Sequence, residues 1–512
     1  MATATTGERP ALYQRIGLAA GPLVALMIAL FLKADGLSQE AVLVAAIGAW
    51  MAIWWATEAI PVSMTAFLPL IVFPILGVSP ISQIAAPYAH PIIYLFFGGF
   101  VVALAIERCG LHRRIALAVF RAVGTDARAL IGGFMLAAAI VSMWISNTST
   151  SLMLLPIAVS VVTVIGETMP ELDTRQRSNF GTSLLLGLAY GATLGGVATL
   201  VGTPPNAFMV GFMSDTYGVE IDFARWMLVG VPVTAILLPL AWLILTRFVF
   251  PVNFTASDDA MKHIRHMRTS LGKMSKAEFR TALLFAFLVI GWIGRGLFSG
   301  IPVIGGISDT GIAMIAALAA FLVPSGRDGQ ALMVWEDVSK LPWGVLILFG
   351  GGLALASAVS SSGLALWMGQ QLSPLGLLNL ALLVVAATAL VIFLTELTSN
   401  LATTATFLPV IAAIAVETGQ DPLVFVIPVT LAASCAFMLP VATPPNAIIF
   451  SSGLVSIPKM ARAGLVLNII AVGVLSVIAL TLAPMVFGSG GWRSGPSPFA
   501  PAWSLWPAGR DR

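Results

Sequence analysis

Apolar runs of roughly twenty residues recur along this chain, separated by short polar or glycine-rich interruptions. A helix of that length crosses the ~30 Å hydrocarbon core of a bilayer. The pattern predicts spanning helices over 16–32, 41–56, 63–76, 91–106, 226–250, 281–298, 309–323, 343–360 and 464–487. Two further spans, 180–212 and 423–451, are interrupted midway and read as broken helices. The apolar stretches 129–165 and 376–417 are too long for one crossing and hold polar residues at their centres. Each reads as a re-entrant helical hairpin that enters and leaves on one side. Nonhelical backbone at that depth is tolerated only inside protein or beside a water-filled cavity. The expected fold is an all-α polytopic membrane protein with about 11 transmembrane helices and two re-entrant helical hairpins.

Composition narrows the class. Apolar residues make up 58% of the 512 and charged residues 10%, against about 25% charged in a soluble protein; mean hydropathy is +0.97. The 48 glycines and 31 prolines demand breaks that membrane helices accept where neighbours re-satisfy the backbone. Cys109 and Cys435 are too few for a disulfide framework, and the four histidines, among them His263 and His266, form no ligand cluster. The first residues carry no apolar core of a cleaved signal, so the first span is expected to serve as the insertion signal.

The small net charge matters through its placement. Arg108, Arg113, Arg114, Arg121 and Arg128 cluster in 108–128, and Lys262, Arg265, Arg268, Lys273, Lys276 and Arg280 in 252–280. The segments 77–90, 299–308 and 362–375 carry no Lys or Arg. The positive-inside rule puts both basic segments in the cytoplasm. With both hairpins re-entrant, the crossings leave the N-terminus inside and the C-terminus outside a cytoplasmic (inner) membrane. Part of 252–280 reads either as an amphipathic surface link or as a solvated connector, and the tail 488–512 as flexible. No nucleic-acid partner is expected.

Self-comparison exposes a repeat. PIIYLFFGGFVVALAIERCGLHRRIAL from Pro91 resembles PWGVLILFGGGLALASAVSSSGLALWM from Pro342; ISNTSTSLMLLPI from Ile145 resembles TSNLATTATFLPV from Thr398; GTPPNA from Gly202 resembles ATPPNA from Ala442. The three pairs keep their order, and an odd number of crossings between partners implies an inverted-topology repeat with two broken helices. Secondary transporters use that architecture, with the site near the midplane.

The repeated motifs suit an anion and a small cation together. Thr203-Pro204-Pro205-Asn206 and Thr443-Pro444-Pro445-Asn446 each stop a helix, because proline lacks the donor and clashes with the preceding turn. The restarted half presents free N–H groups to an anion, while the stopped half presents carbonyls to a cation such as Na⁺. Ser146 and Ser399 are candidate caps at the hairpin tips. Asn147, Asn206, Asn400 and Asn446 offer an amide donor and an acceptor each, and Thr148, Thr203 and Thr443 add hydroxyls. No Lys or Arg lies in these motifs. Each helix start contributes only about 0.3–2 kcal/mol toward an anion, so co-bound cations are expected. A lone TPP is ordinarily a kink and a lone SN an ordinary cap; two copies of each in register favour a binding role. Glu58 reads as a contact at a helix end. Glu396, four residues before Asn400, reads equally as support for the site or as structure. His90 and Tyr94 read as interfacial, and Glu107 and Glu167 are candidates for the scaffold interface.

The strings WWATEAIP, LFFGGF, SMWISNTSTSLMLLPI, GTPPNA, TELTSNLATTATFLPV and ATPPNA, between about Trp54 and Asn446, resemble the divalent anion–sodium symporter (DASS) family, including its INDY-type dicarboxylate carriers. The resemblance implies a homodimer whose protomers divide into scaffold and transport parts working by an elevator-type cycle. The division expected is 1–128 and 281–375 as scaffold, 129–250 and 376–487 as transport halves, 251–280 as basic linker and 488–512 as tail. It implies sodium sites at Ser146, Asn147 and Gly202, and at Thr395, Asn400 and Ala442. Substrate carboxylates would meet Asn147, Thr148, Asn400, Thr203, Pro204, Thr443 and Pro444. Leu401 departs from the pattern, since several dicarboxylate members carry Thr there; Thr403 and Thr404 are candidate compensators. The function implied is Na⁺-coupled symport of a small dicarboxylate of the succinate, malate or fumarate class, with no cofactor beyond Na⁺ as coupling ion. Na⁺-independent dicarboxylate exchange, or citrate or sulfate transport, are the alternatives. An enzyme is not expected, since no HExxH, GxSxG or paired intramembrane Asp is present; a passive channel is disfavoured by the doubled half-sites.

Overall fold

The computed structural model describes residues 11–488, apart from 120–123, 125, 257–261, 263–265, 267–268, 299, 303–304, 327–328 and 373–377. Arg121, His263, Arg265, Arg268 and the tail beyond 488 therefore lie outside the described residues, as does part of the 252–280 linker. Among the described residues the chain is helical throughout, with two isolated β-bridges, Asp126–Thr255 and Pro324–Ala331. Ten helices among the described residues are long and apolar enough to cross a membrane, and several shorter apolar helices accompany them.

The predicted elements form, with local differences that have plain causes. The span expected at 63–76 is two short helices, Val62–Thr65 and Leu68–Ile75, with the second opening on Pro69. The Gln39–Thr57 helix ends where Glu58 takes a left-handed conformation, φ 45°, three residues ahead of Pro61. Glu58 is therefore a helix end, as its sequence position suggested. The span from 226 begins at Phe223, capped by Asp222, and finishes in a π-helical turn, Ile244–Val249. Within the basic stretch 108–128 lies a short helix, Leu111–Val119, and Leu364–Leu372 occupies the corresponding place in the second copy. Gly110 and Gly363, both with φ near +80°, make the two turns into these helices. A left-handed turn there favours glycine in both copies.

The hairpins are two helices meeting at a tight polar tip. Ala127–Ser142 and Asn147–Thr168 flank residues 143–146, and Leu380–Thr395 and Asn400–Glu417 flank 396–399. Asp126 and Asn379 cap the entering arms with their side chains. The first broken helix runs Thr174–Val197, stops over 198–203 and restarts as Pro204–Tyr217; the second runs Pro422–Ala433, stops over 434–443 and restarts as Pro444–Ser451. Both restarts carry proline in the first turn, where its missing N–H costs nothing.

The repeats interlock rather than sit side by side. Pro204–Tyr217 packs on the Asn400–Glu417 arm of the second hairpin, and Pro444–Ser451 packs on the Asn147–Thr168 arm of the first. Tyr190 donates to the Phe437 carbonyl at 2.9 Å, and Lys459 reaches Ser178 at 2.7 Å, both across the repeat boundary. From Phe180 to Val197 the helix Thr174–Val197 is buried on all sides, and it lies closely against Ala127–Ser142. Glycine permits that approach: a Cβ at Gly191 would lie 2.5 Å from the Met135 carbonyl oxygen, and one at Gly195 2.3 Å from that of Ala139. Gly195→Ala should therefore destabilise by about 1–3 kcal/mol, as overpacking does. Gly166→Ala, where nothing lies within 4 Å, should be neutral or stabilising; thermal unfolding of the two variants checks the contrast.

Candidate functional site

The two hairpin tips share a hydroxyl–amide contact, and each is tied to the break in its own repeat by different bonds. Ser142 donates its hydroxyl proton to Asn147 Oδ1, and Thr395, the counterpart of Ser142, lies 3.0 Å from Asn400 Oδ1 and 2.9 Å from the Ala433 carbonyl. A hydroxyl on the amide oxygen leaves the amide nitrogen of Asn147 and Asn400 available to donate. Both asparagines start helices and both are half-exposed, although they lie at the centre of long apolar stretches. Ser146 caps its helix through the Ser149 N–H at 3.2 Å, whereas Ser399 makes no side-chain cap.

The breaks are braced by the asparagines of the two TPPN motifs. Asn206 Nδ2 donates to the carbonyls of Val197 (3.2 Å) and Thr199 (2.8 Å), and Asn446 Nδ2 to those of Ala436 (3.2 Å) and Leu439 (3.0 Å). These carbonyls lie at the stopped helix ends and in the breaks; Val197 also accepts from Trp226 Nε1 and Leu439 from the Ala442 N–H. Both asparagines are fully buried, and each has its Oδ1 without a partner. They are thus braces beneath the site, a more specific role than the donor-or-acceptor reading their sequence position allowed.

Asn147 is the first-repeat residue most clearly brought to the break. Its Oδ1 lies 2.6 Å, and the Gly202 carbonyl oxygen 2.9 Å, from the point where a Cβ on Gly196 would stand. Two oxygens of the expected first sodium group therefore converge on one glycine. Thr199 closes the loop, donating to the Met143 carbonyl at 2.6 Å and accepting from the Gly202 N–H at 3.1 Å. In the second repeat Thr395 and Asn400 are joined directly; Ala442 is buried and its N–H bonds to the Leu439 carbonyl at 3.2 Å. The two breaks approach one another where Thr203 Oγ1 lies 3.4 Å from Ser434 Oγ. Thr443 turns inward, accepting from the Asn446 N–H at 3.4 Å. Thr148 and Pro204 are half-exposed and Pro444 exposed, with no polar contact drawing them to the asparagines.

The copies differ at the tips. Leu401 is buried at 4% exposure while Thr148 is half-exposed. Thr403 and Thr404 are buried and return their hydroxyls to the Ser399 and Asn400 carbonyls of their own helix. They do not replace the missing hydroxyl. Sequence reasoning missed Ser142, Thr199 and Ser434; the first two could have been found by their fixed spacing from Asn147 and Asn206. A cavity of about 230 Å³ lies away from the tips, lined by Phe212, Asp215, Leu353, Ser357 and Ser360.

Residues 14–488 match the family described as the sodium:sulfate symporter transmembrane region. The chain belongs to this family, the divalent anion–sodium symporters. The sodium-dependent dicarboxylate transporter SdcS of Staphylococcus saprophyticus is 39% identical over 480 residues, covering 93% of this chain and 92% of that protein. SdcS of Staphylococcus aureus strain USA300 has the same identity and coverage. Among solved structures, Neisseria gonorrhoeae MtrF, of a class of antimetabolite efflux pumps, superposes with TM-score 0.58 at 12% identity, over 94% of this chain and 97% of its own. The Alcanivorax borkumensis YdaH transporter gives 0.53 at 16%, over 91% and 96%. Those two resemblances speak for the fold alone.

Asn206→Ala and Asn446→Ala each remove a donor shared by two carbonyls of the break; Val197 keeps Trp226 Nε1 and Leu439 keeps the Ala442 N–H. Each should destabilise this symporter by about 1–3 kcal/mol, read as a lowered thermal transition of the purified protein.

Proposed function

We propose that this family member carries out Na⁺-coupled symport of a small dicarboxylate of the succinate, malate or fumarate class. The observation that carries the reading is the doubled hydroxyl–amide pair at the hairpin tips, Ser142–Asn147 and Thr395–Asn400. Two repeat-related amides, each with its oxygen held by a hydroxyl, give a pair of neutral donors, one for each end of a dianion. The 39% identity to proteins named sodium-dependent dicarboxylate transporters supports that substrate class and that coupling ion.

In this reading the carboxylates meet Asn147, Thr148, Thr203 and Pro204 on one side and Asn400, Thr443 and Pro444 on the other. Sodium ions sit at Ser146, Asn147 and Gly202, and at Thr395, Asn400 and Ala442. Helix starts attract the anion and stopped ends offer carbonyls to the cation. With no Lys or Arg in the motifs, the positive charge leaves with the cargo and the empty site can move as neutral dipoles. The halves 129–250 and 376–487 form the moving part against a scaffold of 1–128 and 281–375. The interlocked hairpins and broken helices support their moving together in an elevator-type cycle. The protein works as a homodimer in the inner membrane, with its N-terminus cytoplasmic and its C-terminus outside.

Labelled succinate uptake into proteoliposomes should require an inward Na⁺ gradient; uptake that instead needs internal dicarboxylate and ignores Na⁺ would identify an exchanger. Asn147→Ala and Asn400→Ala should abolish uptake with expression and oligomeric state intact. Ser142→Ala, which frees the Asn147 amide to rotate, should lower uptake severalfold with the thermal transition little changed. Uptake at the wild-type rate in either asparagine variant would reject the assignment.

A further inference from the structure

Pro204–Tyr217 and Asn400–Glu417 both pack on Trp343–Ser361. Their repeat counterparts, Pro444–Ser451 and Asn147–Thr168, make no comparable packing with Pro91–Cys109, the counterpart of Trp343–Ser361. Burial differs in the same sense. Every residue from Pro205 to Met213 is buried, whereas Pro444, Ala447 and Phe450 are exposed. One copy is therefore closed against the fixed part and the other stands away from it, as one end state of an inverted repeat does. Exchanging the roles of the copies gives the opposite state.

The closed side carries a polar contact between the two parts. His90 precedes the scaffold helix Pro91–Cys109 and caps it, its Nδ1 accepting from the Ile92 N–H at 3.2 Å. That bond leaves the proton on Nε2, which lies 3.0 Å from Asp215 Oδ1 in the last turn of Pro204–Tyr217. Gly211, one turn earlier, makes room for the imidazole: a Cβ there would stand 3.5 Å from its Cε1. A hydrogen bond to a charged acceptor thus crosses from a fixed helix to a moving one. In the second copy Leu341 and Val455 hold the register positions of His90 and Asp215, and both are buried. Two aliphatic side chains have no such bond to offer the opposite state.

We infer that His90 and Asp215 form a latch that holds the protein with its cytoplasmic side open, and that the opposite state has no equivalent. The latch rests on the elevator-type reading and goes beyond it. Its effect is directional: the step that returns the moving part to face outward breaks the bond, and the reverse step forms it. Neither residue touches substrate or Na⁺; both act on the balance between the two end states.

Ala356 reports on this boundary: it lies on Trp343–Ser361, is buried, and lines the cavity beside Asp215. In full-length Ala356→Cys protein in sealed proteoliposomes, labelling by an external membrane-impermeant maleimide measures how often Pro204–Tyr217 leaves that helix. The protein without this cysteine gives the background. Asp215→Val copies the second repeat, while His90→Asp keeps a helix cap and sets two carboxylates against each other. Labelling should rise about threefold or more in each, the scale of one net hydrogen bond. His90→Asp combined with Asp215→His restores a carboxylate–imidazole pair and should bring labelling back to within about twofold of Ala356→Cys alone. A pair that serves only the fold would shift the thermal transition and leave labelling unchanged, and that result overturns the latch. So does a double variant labelled as fast as His90→Asp. Asp215 is exposed, so Asp215→Val keeps the test decisive if His90→Asp does not fold. Labelling that ignores saturating Na⁺ and succinate in every variant overturns the moving-part reading itself. Labelling that responds to them but not to Asp215→Val overturns the latch alone.

Discussion

A helix that stops inside a membrane exposes donors and acceptors where no water waits to satisfy them. That constraint governs this molecule. Two helices stop at mid-length, at 198–203 and 434–443, and the surrounding elements supply the missing partners. Asn206 and Asn446 hold the carbonyls, while Thr199 and Glu396 tie the loops to the hairpin tips. What these braces leave unsatisfied is available to a ligand: the helix starts and the amides of Asn147 and Asn400.

The same constraint accounts for the neutral groups gathered at the candidate site. A Lys or Arg placed there would demand a permanent partner, and the buried carboxyl beside the second tip, Glu396, is wrapped in five hydrogen bonds from four donors. Elsewhere the charges sit near helix ends, as Arg114 with Glu278 and Arg108 with Asp337. Interior polarity is thus carried by hydroxyls, amides and backbone, whose dipoles need no counter-ion while the site is empty.

Much of this was legible in the sequence because membrane burial writes itself into composition and length. The long spans, both hairpins and both breaks follow from apolar runs interrupted by Ser-Asn and Thr-Pro-Pro-Asn. The short helices Leu111–Val119 and Leu364–Leu372 did not show, since nine residues behind a glycine look like a loop. The bracing role of Asn206 and Asn446 was equally hidden. An asparagine beside a broken helix serves a ligand or the backbone with the same chemistry, and only the positions of the Val197, Thr199, Ala436 and Leu439 carbonyls distinguish them. Glu396 stood between two readings because its partners, 41–43 and 72 residues away, belong to other elements.

The crossed packing of the repeats has a consequence for how the protein is made. Pro204–Tyr217 lies against an arm that begins at Asn400, so its neighbour leaves the ribosome 183 residues after Tyr217. At translation rates of about 5–20 residues per second, the first half waits roughly 10–40 s for its partner. Throughout that interval the break is braced by its own half, but the face of Pro204–Tyr217 that will meet the second hairpin has to be covered by lipid or the insertion machinery. Biogenesis of this chain is therefore a problem of keeping one half open until the other arrives.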